Sequence, residues 1–164
     1  MDFWVRNPDH FAYALLQAHN EYASVDYLTT AQTIADSDEP EIRRDAMLKY
    51  LYGAYEPPDT ALAPLVSCGL ARMIRDKDTR QKTYILLSEG LTRANQMVDE
   101  LPEAQWYSER ATLVGDFCVG RSGDKLAQWQ YRHPSYSGAK NGETINSIAE
   151  EVRRLLAVAE ADNA

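Results

Sequence analysis

Leu65–Gly90 reads LVSCGLARMIRDKDTRQKTYILLSEG, and the order of its residue types decides the fold. The apolar run from Leu65 to Cys68 stops at Gly69, the residue that closes helices most readily because no Cβ opposes the left-handed turn. Leu70 is then the apolar residue that packs back after such a stop. Leu70–Arg75 and Arg80–Leu87 are rich in apolar, β-branched and aromatic residues, and Asp76, Lys77, Asp78 and Thr79 between them suit a tight reversal. Ser88 or Glu89 opens a new helix with Leu91, Ala94, Val98 and Leu101 on one face, and Pro102 breaks it. The expected order is helix, glycine stop, hairpin, helix.

Within this stretch, Leu70–Thr83 is electrically distinct. Arg72, Arg75, Lys77, Arg80 and Lys82 face only Asp76 and Asp78, a local balance of +3, whereas the whole chain carries −8 and the remainder therefore −11. A pI near 4.9 opposes general affinity for polyanions, since long-range repulsion acts on approach. A local cationic surface is the place where binding to a polyanion would occur.

Outward from this stretch the chain reads as helices. Asn7, Pro8 and Asp9 form a helix start, and Phe11, Leu15, Ala18, Tyr22 and Val25 recur at helical spacing behind it. A second helix is expected from Glu41 through Ile42, Ala46, Met47, Leu48 and Leu51, with Gly53 as its stop. A short third helix is expected from Thr60 to Cys68, with Pro64 inside it. Trp106, Arg110, Leu113 and Phe117 suggest another, and His133–Gly142 reads as an exposed loop. Ile145, Ile148, Val152, Leu155 and Ala159 make a heptad-like stripe near the end of the chain. Such a stripe packs either on the chain's own core or on a second copy.

At 164 residues and 45% hydrophobic content the chain is long enough for a core that buries roughly two-thirds of its unfolded surface. Two cysteines, Cys68 and Cys118, form no metal-binding spacing and are expected as small core residues. His10, His19 and His133 are scattered and read as ordinary histidines, so no metal and no cofactor is expected. No phosphate loop or nucleophile elbow is present, which argues against an enzyme. Without an apolar run of membrane length, the expected setting is soluble and cytoplasmic.

Residues Thr60 to Ala94 resemble the MarR and PadR group of winged-helix transcription regulators. Asp78, Arg80, the strand Tyr84–Leu87 and Gly90 keep the MarR wing spacing, and Gly69-Leu70 matches the end of the recognition helix in both groups. Leu87 stands where that pattern has Thr or Ser, and the helix from Thr60 lacks Arg and Lys. The resemblance implies a mainly α fold: a winged helix-turn-helix with one β-hairpin wing, and N- and C-terminal helices for dimerisation. Its expected division is an N-terminal helix over 1–35, a winged-helix domain over 36–101 and a C-terminal helical extension over 102–164.

The implied partner is double-stranded DNA, met by a homodimer. Arg75, Lys77 and Arg80 at the wing tip would reach phosphate or the minor groove, Arg72 and Lys82 would support from the strands, and Thr60 would donate to phosphate at a helix start. The plainer reading of the tip is a solvated turn in which Asp76 pairs with Arg80 and Lys82. Trp106, Tyr107, Trp129 and Tyr131 would line a small-molecule cavity or belong to the core. The competing function is a protein-binding adaptor or inhibitor of phage or plasmid type, including a DNA mimic. In that case the acids Asp36, Asp38, Glu39, Glu41 and Glu56 would close over the Thr60 helix.

Overall fold

A computed structural model of the chain describes residues 1–22, 26–37, 47–50, 53–54 and 59–162. The elements run α1 Asp2–Arg6, α2 Pro8–Glu21, α3 Tyr27–Asp36, β1 Lys49–Tyr50, β2 Gly53–Ala54, α4 Asp59–Ser67, β3 Ala71–Arg75 and β4 Lys82–Leu86. They continue as α5 Ser88–Glu100, α6 Pro102–Cys118, α7 Gly123–Tyr131, α8 Pro134–Ser137 and α9 Ala149–Asp162. The fold is mainly α, with two small antiparallel hairpins among the described residues. Met1–Tyr55 and Glu109–Ala164 together make one compact unit, and Glu56–Ser108 makes a second.

That division differs from the expected boundaries at 36 and 101, and the reason lies in the core of the larger unit. On α2, His10, Phe11, Ala14, Leu15 and Ala18 are buried along one face, and α3 and α9 both pack on this helix. The small residues Ala14 and Ala18 let a neighbour come close, while each fully buried Leu or Phe contributes about 1.5–3 kcal/mol. Ile145, Ile148, Val152 and Leu156 join the same core. The C-terminal stripe is thus covered by the chain's own N-terminal helices rather than left for a second copy. A residue from the start of α2 also caps the start of α9: Asp9 Oδ2 accepts from Ile148 N at 2.6 Å and from Ser147 Oγ at 2.7 Å. Asn7, the expected cap of α2, instead turns its amide back to donate to Phe3 O at 2.8 Å.

The helix expected from Glu41 to Leu51 is corrected over its second half. Its first residues, 41–46, lie outside the described set, but Met47–Tyr50 is extended. Lys49 pairs with Ala54 and Tyr50 with Gly53, Leu48 bridges Thr144, and Ile145 N donates to Met47 O. Burial alternates along this piece, with Met47 and Lys49 inside and Leu48 and Tyr50 outside, the period of a strand. Buried Lys49 donates from Nζ to Tyr136 O at 2.9 Å and lies over the Tyr131 ring at 4.9 Å. Its alkyl stem replaces an apolar side chain in the core. Part of the expected His133–Gly142 loop is the short helix α8.

The smaller unit keeps the expected order α4, β3, β4, α5. Leu70 N donates to Leu65 O at 2.8 Å and Gly69 N to Val66 O at 3.1 Å, the paired closure of a Schellman stop, with Gly69 at φ +72°. Cys68, expected in the core, is exposed just before this turn. Gly90 answers a different need. A Cβ there would sit 2.1 Å from Leu70 O and 2.8 Å from Leu86 Cδ1, so only glycine lets α5 seat against the base of the hairpin.

Candidate nucleic-acid interface

The hairpin pairs Ala71 with Leu86, Arg72 with Ile85, Met73 with Tyr84, Ile74 with Thr83 and Arg75 with Lys82. Directly opposed residues share a face. Ala71, Met73, Arg75, Lys82, Tyr84 and Leu86 therefore lie on one face, and Arg72, Ile74, Thr83 and Ile85 on the other. The first face looks to α4, because Ala71 is buried and both Lys82 Nζ and Tyr84 Oη donate to the Asp59 carboxylate at the start of that helix. Lys82 first and Tyr84 second hold the Asp59 carboxyl below the usual carboxylate range. The ion pair also draws Lys82 away from Arg75, a like charge directly across the ribbon.

The first strand ends at Arg75 as expected, the second starts at Lys82 rather than Arg80, and the reversal between them is built by Asp76. Its Oδ1 accepts from Thr79 N at 2.7 Å, Thr79 Oγ1 at 2.9 Å and Asp78 N at 3.0 Å. These donors, Thr79 foremost, lower the Asp76 pKa. Asp76 N donates to Gln81 O at 2.8 Å to close the loop, and Arg80 takes φ +58° to complete it. Asp76 is thus a turn-former, and the pairing of Asp76 with Arg80 and Lys82 across the tip is not made.

Of the six expected contact residues, the structure gathers three. Arg75, Lys77 and Arg80 line, with Asp76, an open concavity of about 550 Å³ at the hairpin tip. None of Arg72, Arg75, Lys77 and Arg80 forms an ion pair with a described residue. Arg72 lies on the opposite face of the ribbon, next to the exposed Ile74 and Ile85. Lys82 is engaged by Asp59. Thr60 is exposed on α4, but Asp59 beside it places a carboxylate at the helix start, where a phosphate would otherwise be favoured. Of the acids proposed to close over α4, residues 38, 39, 41 and 56 lie outside the described set, and Asp36 is exposed at the end of α3.

The aromatic set does not form one cavity within either unit. Trp129 is buried against Phe117, and Tyr131 contacts Tyr136, in the larger unit; Trp106 and Tyr107 make an edge contact in the smaller. Sequence reading missed a pair of buried histidines. His10 and His133 meet edge-on at 5.8 Å, His10 Nε2 donating to Asn146 O at 3.0 Å and His133 Nε2 to Glu151 at 3.1 Å. Burial lowers the His10 pKa. Nothing in the chain flags a pair 123 positions apart. Among the described residues no cluster of three or more His, Cys, Asp or Glu side chains is placed to hold a metal, and no helix is long and apolar enough to cross a membrane.

No protein-family model matches the chain, and no curated protein and no solved structure matches it either.

Proposed function

We propose that the chain is a DNA-binding transcriptional regulator of winged-helix type that grips the phosphate backbone through the tip of its hairpin. What supports this reading is the concavity lined by Arg75, Lys77 and Arg80, three cations that no described carboxylate pairs with, in a chain of net charge −8. Cations held on a rigid turn give up little freedom on meeting phosphate, and each contact releases counterions. Arg72 and Lys82 are secondary in this reading, and sequence preference rests with the exposed side of α4 from Thr60 onward. A homodimer remains part of the proposal, with its seat moved from the terminal helices to α5. There Leu91, Met97 and Leu101 are exposed, and Gly90 is the helix's only buried residue.

Mobility shifts on random duplexes at low salt test the reading. Arg75→Ala and Arg80→Ala should each weaken binding roughly tenfold, the size of one charge-assisted hydrogen bond, and Lys82→Ala should do much less. Equal, small effects from all three would remove the hairpin tip from the account.

One observation favours the protein-binding alternative. The outer face of the hairpin exposes Ile74 and Ile85 beside Arg72, an apolar pair that suits a protein surface better than a phosphate backbone. Absence of any shift at low salt, with retained folding, would move the assignment there.

A further inference from the structure

A second gathering of cations lies in the larger unit. Arg121, Lys125 and Arg132 all stand over the ring of Trp129, at 5.4, 5.9 and 5.5 Å from its centroid. Arg121 and Lys125 also share the ring of Tyr22, at 5.7 and 5.1 Å. All three charged groups therefore lie within 5.9 Å of one ring, Trp129, which is 2% exposed and screens their mutual repulsion poorly.

The partners of these cations are mostly neutral. Arg121 donates to Phe117 O and to Tyr27 Oη, and Lys125 to Tyr22 Oη. Among the described residues only Arg132 has a carboxylate, Glu21 at 2.5 Å. Cation–π contacts hold a cation in place without cancelling its charge. The cluster therefore keeps an excess of about two positive charges, and two N–H groups of Lys125 find no acceptor among the described residues. The Trp129 Nε1–H is likewise buried without one. Donors with surplus positive charge gathered around one buried ring match a compact dianion, whose oxygens accept from several donors at once.

We propose that Arg121, Lys125 and Arg132 form a binding site for a phosphate or diphosphate group of a small molecule, independent of the hairpin.

The test is titration of the full chain with sodium pyrophosphate at constant ionic strength, read by calorimetry and by indole fluorescence, with sodium chloride as the blank. The expected result is saturable binding that Lys125→Gln weakens at least tenfold, while Lys140→Gln, an exposed cation of the same unit, and Arg75→Ala leave it within twofold. Arg121→Gln should abolish it. Because Arg121 also closes the end of α6, thermal melting of that variant accompanies the titration, and Lys125→Gln decides the matter if Arg121→Gln fails to fold. Absence of saturation by millimolar pyrophosphate overturns the site. So does binding that Lys140→Gln weakens as much as Lys125→Gln, or binding of duplex DNA but not pyrophosphate at this cluster.

Discussion

At the scale of single residues, two side chains have consequences that chemistry alone makes testable. Gly90 has no room for a methyl group, with backbone Leu70 O 2.1 Å from where a Cβ would be. Gly90→Ala should destabilise the smaller unit by about 3 kcal/mol, as overpacking against backbone does, and a denaturant melt reads it directly; an unchanged midpoint would show that α5 can lift off the hairpin freely. His10 sets a pH dependence. Its burial lowers the folded-state pKa below the ordinary 6.5 of the unfolded chain. As pH falls through 6.5 the unfolded chain takes up this proton before the folded one does, so stability present above that pH is lost below it. The Tm should drop between pH 7.5 and 5.5, and His10→Gln, which keeps a donor for Asn146 O but does not titrate, should flatten the drop. The carboxyls of Asp26, Asp59 and Asp76 are lowered instead, so their share is lost only in the more acid range, outside this window.

At the scale of elements, legibility followed how local the determining physics is. The α4 stop, the hairpin and α5 were readable because Gly69, the Asp76–Thr79 turn and the Leu91–Leu101 stripe each act over a few residues. Met47–Tyr50 was misread because MLKYL fits either period, and only its bonding to residues 142–145, far along the chain, makes it extended. The face of each hairpin cation was not legible either, since register depends on the length of the turn: Arg80 looks like a strand residue in sequence and sits at φ +58° in the fold. The exposed stripe of α5 yields its own prediction. Leu91 is 54% exposed, so Leu91→Glu should leave the fold intact while shifting a dimer to monomer in light scattering. A parent chain that is monomeric at high concentration would remove α5 as the seat of a second copy.

For the whole molecule, the organising fact is that the N- and C-terminal helices complete one core, leaving Glu56–Ser108 as a separate compact unit that carries the basic hairpin. No local signal announces that α9 belongs with α2, because an apolar stripe fits a second copy and the chain's own core equally well. Charge does not follow that division: Glu56–Ser108 holds six Lys and Arg against eight Asp and Glu, so the positive surplus is confined to the hairpin itself. A body that repels polyanions and a tip that attracts them should give binding that is weak at ordinary salt and steep in its salt dependence. The most direct measurement is therefore the slope of log affinity against log salt for duplex DNA, for the parent and for Arg75→Gln/Lys77→Gln/Arg80→Gln combined. Three phosphate contacts per subunit predict a slope shallower in the triple variant by about 2.7 for each subunit on the duplex, about 5.4 for a bound dimer. A slope equal to the parent's would contradict the claim that the hairpin tip holds the backbone.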